Sequence, residues 1–296
     1  MIPFTDETHA DREIASQPAI WRQAAAFAPT VAHLFPKKGQ KVAFVGCGSS
    51  WFMSQAAAGI WESRGLGEAD YYTCSEFIYT RDYDAIVAIT RSGTTTETVE
   101  LLRQTKIPSL VITAVAGSPV TEYATESIIM DFADEESVLQ TVWATTVLGL
   151  IRHISGEVDL AAIAKDAEVA LASNLGELVD VEQISFLGHG WTVGLASEGA
   201  LKTRESSQFW AEAYPAMDYR HGPLSIAQPG RCVWVFGSID ESLIADIKKT
   251  GALLEMSTLD PLAHLIRAQR TAIAIAKKRG MNPDYPRNLS RSIILG

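Results

Sequence analysis

Glu198, Lys202 and Glu205 stand at positions i, i+4 and i+7 of the stretch SEGALKTRESSQFWAEAY. On a helix that spacing puts a carboxylate, an ammonium and a second carboxylate on one face. Such a set can poise one carboxylate for proton transfer; the same spacing also suits a solvated, salt-bridged stripe. His221 follows in Tyr219-Arg220-His221-Gly222-Pro223, where Gly and Pro set a turn. A loop histidine is a candidate general acid or base. His9, His33, His153 and His264 read as surface or helix residues, and His189, inside a Gly-x-Gly turn, fits either role. A second cluster is rich in hydroxyls: Thr90-Arg91-Ser92-Gly93-Thr94-Thr95-Thr96. Hydroxyls and free backbone N–H groups at a helix N-terminus suit a phosphate, and Arg91 adds charge if it points inward. The alternative is N-capping, for which one Ser or Thr suffices; five hydroxyl residues in seven positions exceed that need. No His/Cys/Asp cluster has metal-ligand spacing, so no metal and no cofactor are expected.

These groups need elements to position them. Residues 6–34 read as helical in two pieces, with Pro18 ending the first or opening the second and Pro29 breaking the pattern. Strands are predicted at 41–46, 71–74, 85–90, 109–115 and 127–132, those at 41–46 and 85–90 buried, with helices from the Gly46–Ser50 turn to about Ser63 and over 96–105. Long helices follow at about 137–153 and 160–178. The pattern then restarts: Ile184-Ser185-Phe186-Leu187-Gly188-His189-Gly190 mirrors Val42-Ala43-Phe44-Val45-Gly46-Cys47-Gly48 at an offset of 142 residues. This reads as an internal duplication. The second copy continues with a strand at 231–237 and helices near 240–254 and 260–279, and the tail from 284 reads as extended. Alternating strands and helices predict a doubly wound parallel sheet, whose strand carboxyl ends are where ligands bind. The expected fold is therefore α/β, with two flavodoxin-like but nucleotide-free parallel-sheet subdomains in tandem. The expected boundaries are a helical segment at 1–36, a first domain at 37–158, a second at 159–283 and a tail at 284–296. Each Gly-x-Gly turn lacks the third glycine of a dinucleotide fingerprint, having Trp51 and Val193 there.

The 296 residues suffice for two modest domains, and 47% hydrophobic with 20% charged residues is ordinary globular composition. A net charge of -10 disfavours nucleic acid and anionic membranes as partners. No apolar run approaches the roughly 18–20 residues of a membrane span. The acidic, polar opening is unlike a signal peptide. Three widely spaced cysteines, Cys47, Cys74 and Cys232, make no disulfide framework and suggest reduced thiols in the cytoplasm.

Four stretches together resemble the sugar isomerase (SIS) domain family, above all the isomerase half of glucosamine-6-phosphate synthases. They are GCGSS at 46–50, TRSGTTTET at 90–98, SEGALKTRESSQFWAEAYPAMDYRHGPL at 197–224 and DYPRNLSRS at 284–292. The resemblance implies a phosphate loop at Thr90, Arg91, Ser92 and Thr95 with Ser49 beside it. It implies Glu205 as the carboxylate moving a proton between sugar C1 and C2, with Glu198 and Lys202 in support. It also implies His221 as the ring-opening group, contributed across a homodimer, and Cys47 as a further substrate contact. Two departures bear on the reaction. The chain runs from Met1-Ile2 directly into the isomerase part, so glutamine is not expected as the nitrogen source. Where the synthases carry a Schiff-base lysine this sequence has Arg291, which stays protonated and is no amine nucleophile; it is expected to bind substrate hydroxyls or a carboxylate. The expectation is a phosphosugar isomerase, or a deaminase or deglycase of amino-sugar 6-phosphates. The alternative is a non-catalytic sugar-phosphate sensor. Such regulators usually carry a DNA-binding domain, and Glu205 and His221 together favour catalysis.

Overall fold

The computed structural model describes residues 4–295. The outermost residues of the N-terminal segment and of the tail lie outside that range. The chain forms two compact units. Of the described residues, one comprises 16–136, 142–162 and 290–295, the other 4–15, 137–141 and 163–289. Each is built on one parallel sheet.

The first sheet contains β1 (Val42–Gly46), β2 (Ala69–Thr73), β3 (Ala85–Ile89), β4 (Ser109–Thr113) and β5 (Glu126–Ile129), in the order β2-β1-β3-β4-β5. Every pairing is parallel. Side chains along β1 alternate between faces, as strand geometry requires. Ala43 and Val45 pack with Ile86, Ala88 and Val111 under Leu101 and Leu102 of α3 (Thr96–Gln104). Phe44 meets Trp61 of α2 (Ser49–Ser63) edge-on at 5.8 Å between ring centres, on the other face. There α2 lies beside α4 (Val142–Ile154). Helices thus cover both faces, which is why the inner strands β1, β3 and β4 are near-continuous buried runs rather than alternating ones.

The second sheet contains β6 (Gln183–Gly188), β7 (Ala211–Pro215), β8 (Arg231–Phe236) and β9 (Leu253–Glu255), in the order β7-β6-β8-β9. It is also wholly parallel and repeats the first four positions of the other sheet. Leu187, Val233 and Val235 pack on Leu243 and Ile247 of α7 (Glu241–Lys249). On the opposite face Phe186, Trp234 and Phe236 form a mutual cluster, with the two phenylalanine rings stacked and the tryptophan tilted against both. They lie under α6 (Thr192–Ser207) and α8 (Pro261–Lys278), with His264 stacked on Trp234 at 4.9 Å. Each fully buried phenylalanine of this cluster contributes roughly 1.5–3 kcal/mol. The remaining helix, α5, spans Leu160–Ala172.

The two glycine turns share one backbone device. A Cβ on Gly46 would stand 2.6 Å from the Ser50 carbonyl group, and one on Gly188 would stand 2.3 Å from the Thr192 oxygen. In both cases the first turn of the following helix folds back onto the last strand residue, four positions on. Gly48 and Gly190 then take φ of 59° and 57°, open to glycine at little cost. The Gly-x-Gly pattern therefore serves a tight strand-to-helix turn in each sheet.

Several elements differ from the sequence expectation. The N-terminal region is one helix, α1 (His9–Val31), with Pro18 and Pro29 inside it. Its start is set by a reciprocal cap: the Asp11 amide donates to the Thr8 hydroxyl, and the Thr8 amide to the Asp11 carboxylate. Burial of Ala10, Ile14, Trp21, Ala24 and Ala28 outweighs the donor each proline lacks. The helix expected from about 137 begins at Val142, and the one expected to reach 178 ends at Ala172. Two strands were not foreseen. Gln208, at φ 51°, ends α6 early and leaves Ala211–Pro215 to pair with β6 at the sheet edge. Gly251, at φ 75°, follows the end of α7 and frees Leu253–Glu255 to pair with β8. Among the described residues no helix is long and apolar enough to cross a membrane.

Candidate functional site

The carboxylate set lies on α6, whose N-terminus follows the carboxyl end of β6. Gly199 lets the helix settle closely on its sheet, since a Cβ there would stand 3.0 Å from the Phe186 ring. That approach buries the face carrying the three charges. Glu198 has no exposure and Lys202 only 2%. The Lys202 ammonium lies 3.6 Å from Glu198 Oε1 and 2.5 Å from Glu205 Oε2, and the Glu205 side chain keeps 21% exposure. The arrangement is a buried carboxylate, an ammonium, and an outer carboxylate that solvent reaches. It is not a solvated surface stripe. A charge buried this way persists only with a partner, and Lys202 serves both glutamates.

His221 follows a short 3-10 turn, Ala216–Arg220, in the same unit. It is exposed. Its turn is anchored on both sides. Tyr219 is wholly buried, and the Arg220 guanidinium grips Asp246 of α7 at 2.9 and 3.1 Å and donates to Ser242 at 2.7 Å. Nearby in the sequence of strand ends, a cavity of about 430 Å³ is lined by His189, Ala216, Met217, Ser238, Ile239 and Asp240. All six follow the carboxyl ends of β6, β7 and β8, where ligands bind in such sheets.

In the other unit, the hydroxyl loop joins β3 to α3. Thr90, Arg91 and Ser92 are buried. Gly93 takes φ 64°, and a Cβ there would fall 2.0 Å from Ser118 Oγ. The Thr94 hydroxyl donates to Ser92 Oγ at 3.0 Å. Thr95 occupies the N-cap of α3 without a side-chain capping bond, so capping does not account for the hydroxyls. Ser49 opens α2 behind Gly48, an N-cap with no side chain to offer. The loop and the Ser49 turn both present helix N-termini, whose amides favour anions.

Arg91 does not simply line this loop. Its guanidinium lies 3.5 Å from the Glu135 carboxylate, both almost wholly buried, and donates to the Arg291 carbonyl at 3.3 Å. Glu135 in turn accepts the Val142 and Trp143 amides at 2.7 and 3.2 Å, capping α4. Arg291 is also engaged: it donates to both Asp134 carboxylate oxygens at 2.5 and 2.7 Å and to the Glu135 carbonyl. The segment carrying it runs along the hydroxyl loop. The Ser292 hydroxyl lies within hydrogen-bonding distance of the Ser92 and Thr94 hydroxyls, at 3.2 and 2.8 Å, and the Thr96 amide donates to the Ile293 carbonyl. Sequence reasoning had no signal for Glu135, Asp134 or Ser292, whose side-chain partners Arg91, Arg291, Ser92 and Thr94 lie 44 to 200 positions away along the chain. Cys47 is half-buried in the turn after β1, beside Cys74 and Thr98.

Residues 34–152 match the SIS domain family. Curated relatives are glutamine–fructose-6-phosphate aminotransferases (isomerizing). That of Methanothermobacter thermautotrophicus is 28% identical, over 86% of this chain and 51% of its own length. That of Buchnera aphidicola is 25% identical, over 88% and 52%. The chain thus spans about half the length of the curated relatives it matches. Among solved structures, a glucosamine-6-phosphate deaminase from Thermotoga maritima has a TM-score of 0.80 at 20% identity, covering 97% of this chain and 100% of that one. A tagatose-6-phosphate ketose/aldose isomerase from Escherichia coli has a TM-score of 0.80 at 20% identity, covering 98% and 99%. These two share the fold.

Proposed function

We propose that this chain, whose residues 34–152 match the SIS domain family, is an enzyme that moves a proton between C1 and C2 of a ketose or aldose 6-phosphate. The observation that carries this reading is the solvent-reached end of a buried charge set. Glu205 is the member solvent reaches, with Lys202 held 2.5 Å behind it and Glu198 beneath. A carboxylate with a fixed cation on one oxygen keeps its other oxygen free to accept a carbon-bound proton and return it to the adjacent carbon. General acid–base help of this kind supplies on the order of 10²–10⁴-fold.

The sugar's phosphate is assigned to the Thr90, Ser92 and Thr95 hydroxyls, to Ser49, and to the amides opening α2 and α3. Arg91 acts there as a positioning residue, because Glu135 already holds its charge. Arg291 ties the 290–295 segment to Asp134 and serves as a strap rather than an amine nucleophile. Cys47 borders the same turn as Ser49. His221, on its anchored turn, assists ring opening from one subunit of a homodimer to the other. With an amino-sugar 6-phosphate, proton transfer forms an imine that water hydrolyses, releasing ammonia or an amine. The aminotransferase, deaminase and ketose/aldose isomerase names of the relatives fit a phosphosugar reaction of this class.

Glu205→Gln keeps the side chain's size and hydrogen bonding but removes the base. It is expected to lose 10²-fold or more in turnover, on the order of one base's contribution, while fructose 6-phosphate or glucosamine 6-phosphate still binds. Unchanged turnover in this variant removes the assignment.

A further inference from the structure

The carboxyl ends of β1 and β2 each lead into a cysteine. The parallel register pairs Gly46 with Thr73, so one residue further Cys47 faces Cys74. Paired strands lie roughly 4.7–4.9 Å apart, within the roughly 4.4–6.8 Å between Cα atoms that a disulfide spans. Both side chains turn to the same face, into the cluster under α3. Both sulfurs address one hydroxyl, Thr98 Oγ1, from 3.9 and 3.4 Å. Cys74 is buried, whereas Cys47 is half-buried at the turn. The two thiols are therefore unequal. Hydrogen bonds from the Cys74 thiol and amide draw the Cys47 thiol down to about 7, against the upward push of burial. Cys74, donating to that sulfur and buried, is pushed well up and keeps its proton. An accessible thiolate with a resolving thiol alongside is the arrangement that reactive cysteines use.

We infer that Cys47 and Cys74 are a redox modification site, oxidised by hydrogen peroxide to an intramolecular disulfide. The Cys47 thiolate attacks one peroxide oxygen and the O–O bond breaks. Hydroxide leaves, taking up a proton to become water, and Cys47 becomes a sulfenic acid. The Cys74 sulfur then attacks the Cys47 sulfur, the S–O bond breaks, and the departing hydroxide leaves as a second water with the Cys74 proton. Two electrons pass from the two thiols to the peroxide. A small dithiol reverses the reaction by exchange. Oxidation draws the sulfurs to about 2.05 Å, out of their shared contact with Thr98, and so pulls the Gly46–Ser50 turn toward the end of β2. Cys232, wholly buried on β8 with its thiol pushed up by burial, is the internal control. The inference stands independently of the sugar assigned above.

The test is peptide mapping of the full chain after hydrogen peroxide at neutral pH, quenched with an alkylating agent. Trypsin cuts after Lys41, Arg64 and Arg81, which places Cys47 in residues 42–64 and Cys74 in residues 65–81. The expected product is the two peptides joined, lighter by two hydrogens than their sum, separated again by dithiothreitol, with Cys232 unmodified. In Cys74→Ser the oxidation stops at the Cys47 sulfenic acid, which dimedone traps. Recovery of the two peptides unlinked from the wild-type chain, whether alkylated or over-oxidised, overturns the inference.

Discussion

Replacing Gly93 with alanine probes the hydroxyl loop where its geometry is tightest. Gly93 sits at φ 64°, and a Cβ there would lie 2.0 Å from Ser118 Oγ, 2.5 Å from Ser118 Cβ and 3.0 Å from a Val120 methyl. Turning the serine hydroxyl away leaves the Cβ contact, and Ser118 is itself buried, so the loop backbone must shift. The left-handed conformation costs an L-residue about 1–2 kcal/mol, and overpacking a filled site adds about 1–3 kcal/mol. The expected loss of stability is therefore about 2–5 kcal/mol, read from urea denaturation. Ser118→Gly in the same chain removes the clashing atoms but not the strained φ. A double-mutant cycle should then return a coupling of about 1–3 kcal/mol. The shift also moves Ser92 and Thr94, so binding of a sugar 6-phosphate, followed by calorimetry, should weaken at least tenfold, the equivalent of about 1.4 kcal/mol. A Gly93→Ala variant as stable as wild type, with no coupling to Ser118, refutes the account of this loop.

Two further predictions concern the termini of the unit that holds the carboxylate set. Asp284, 5% exposed, accepts the His9 and Ala10 amides at 2.8 and 2.9 Å and so caps α1 from afar in sequence. Asp284→Ala should cost about 1–3 kcal/mol in a denaturation curve, and Asp284→Asn less. At Asp11, burial alone would raise the carboxyl, but bonds from Lys277 and Thr8 more than offset it and hold it below its ordinary range. A depressed carboxyl stabilises the fold above its unfolded value, near 3.9, and that stability is lost as pH falls through the lower folded value. Between pH 5 and 3, measured in fixed urea, wild type should therefore lose more stability than Lys277→Met; equal losses contradict the pairing.

The parts of this architecture visible in the sequence are those that local physics dictates. The Gly46 and Gly188 turns showed because a helix folding back four residues on tolerates no Cβ, and that demand repeats 142 positions apart. Glu198, Lys202 and Glu205 were placed on one face by helical spacing, but only the packing of Gly199 against Phe186 decides that the face is buried. The sequence sets Arg91 in the hydroxyl loop, but position in a loop says nothing of partners. Glu135, 44 residues on, claims its charge while capping α4. The strap on the hydroxyl loop was equally hidden, since Ser292 meets Ser92 and Thr94 across some 200 residues of chain. The strands β7 and β9 are short edge elements whose polar and mixed residues carry no buried-strand pattern. They exist because Gln208 and Gly251 stop the preceding helices and a paired neighbour is at hand.

The claim that Glu205 carries a proton between C1 and C2 is tested most directly by NMR in D₂O. Fructose 6-phosphate, glucosamine 6-phosphate, galactosamine 6-phosphate and a fructosamine 6-phosphate would each be incubated with the protein and with Glu205→Gln. The account predicts deuterium at C1 or C2 of at least one sugar with wild type, with amine release if the substrate carries nitrogen, and none with the variant. Binding of these sugars without any deuterium entry, or equal entry in Glu205→Gln, would contradict it.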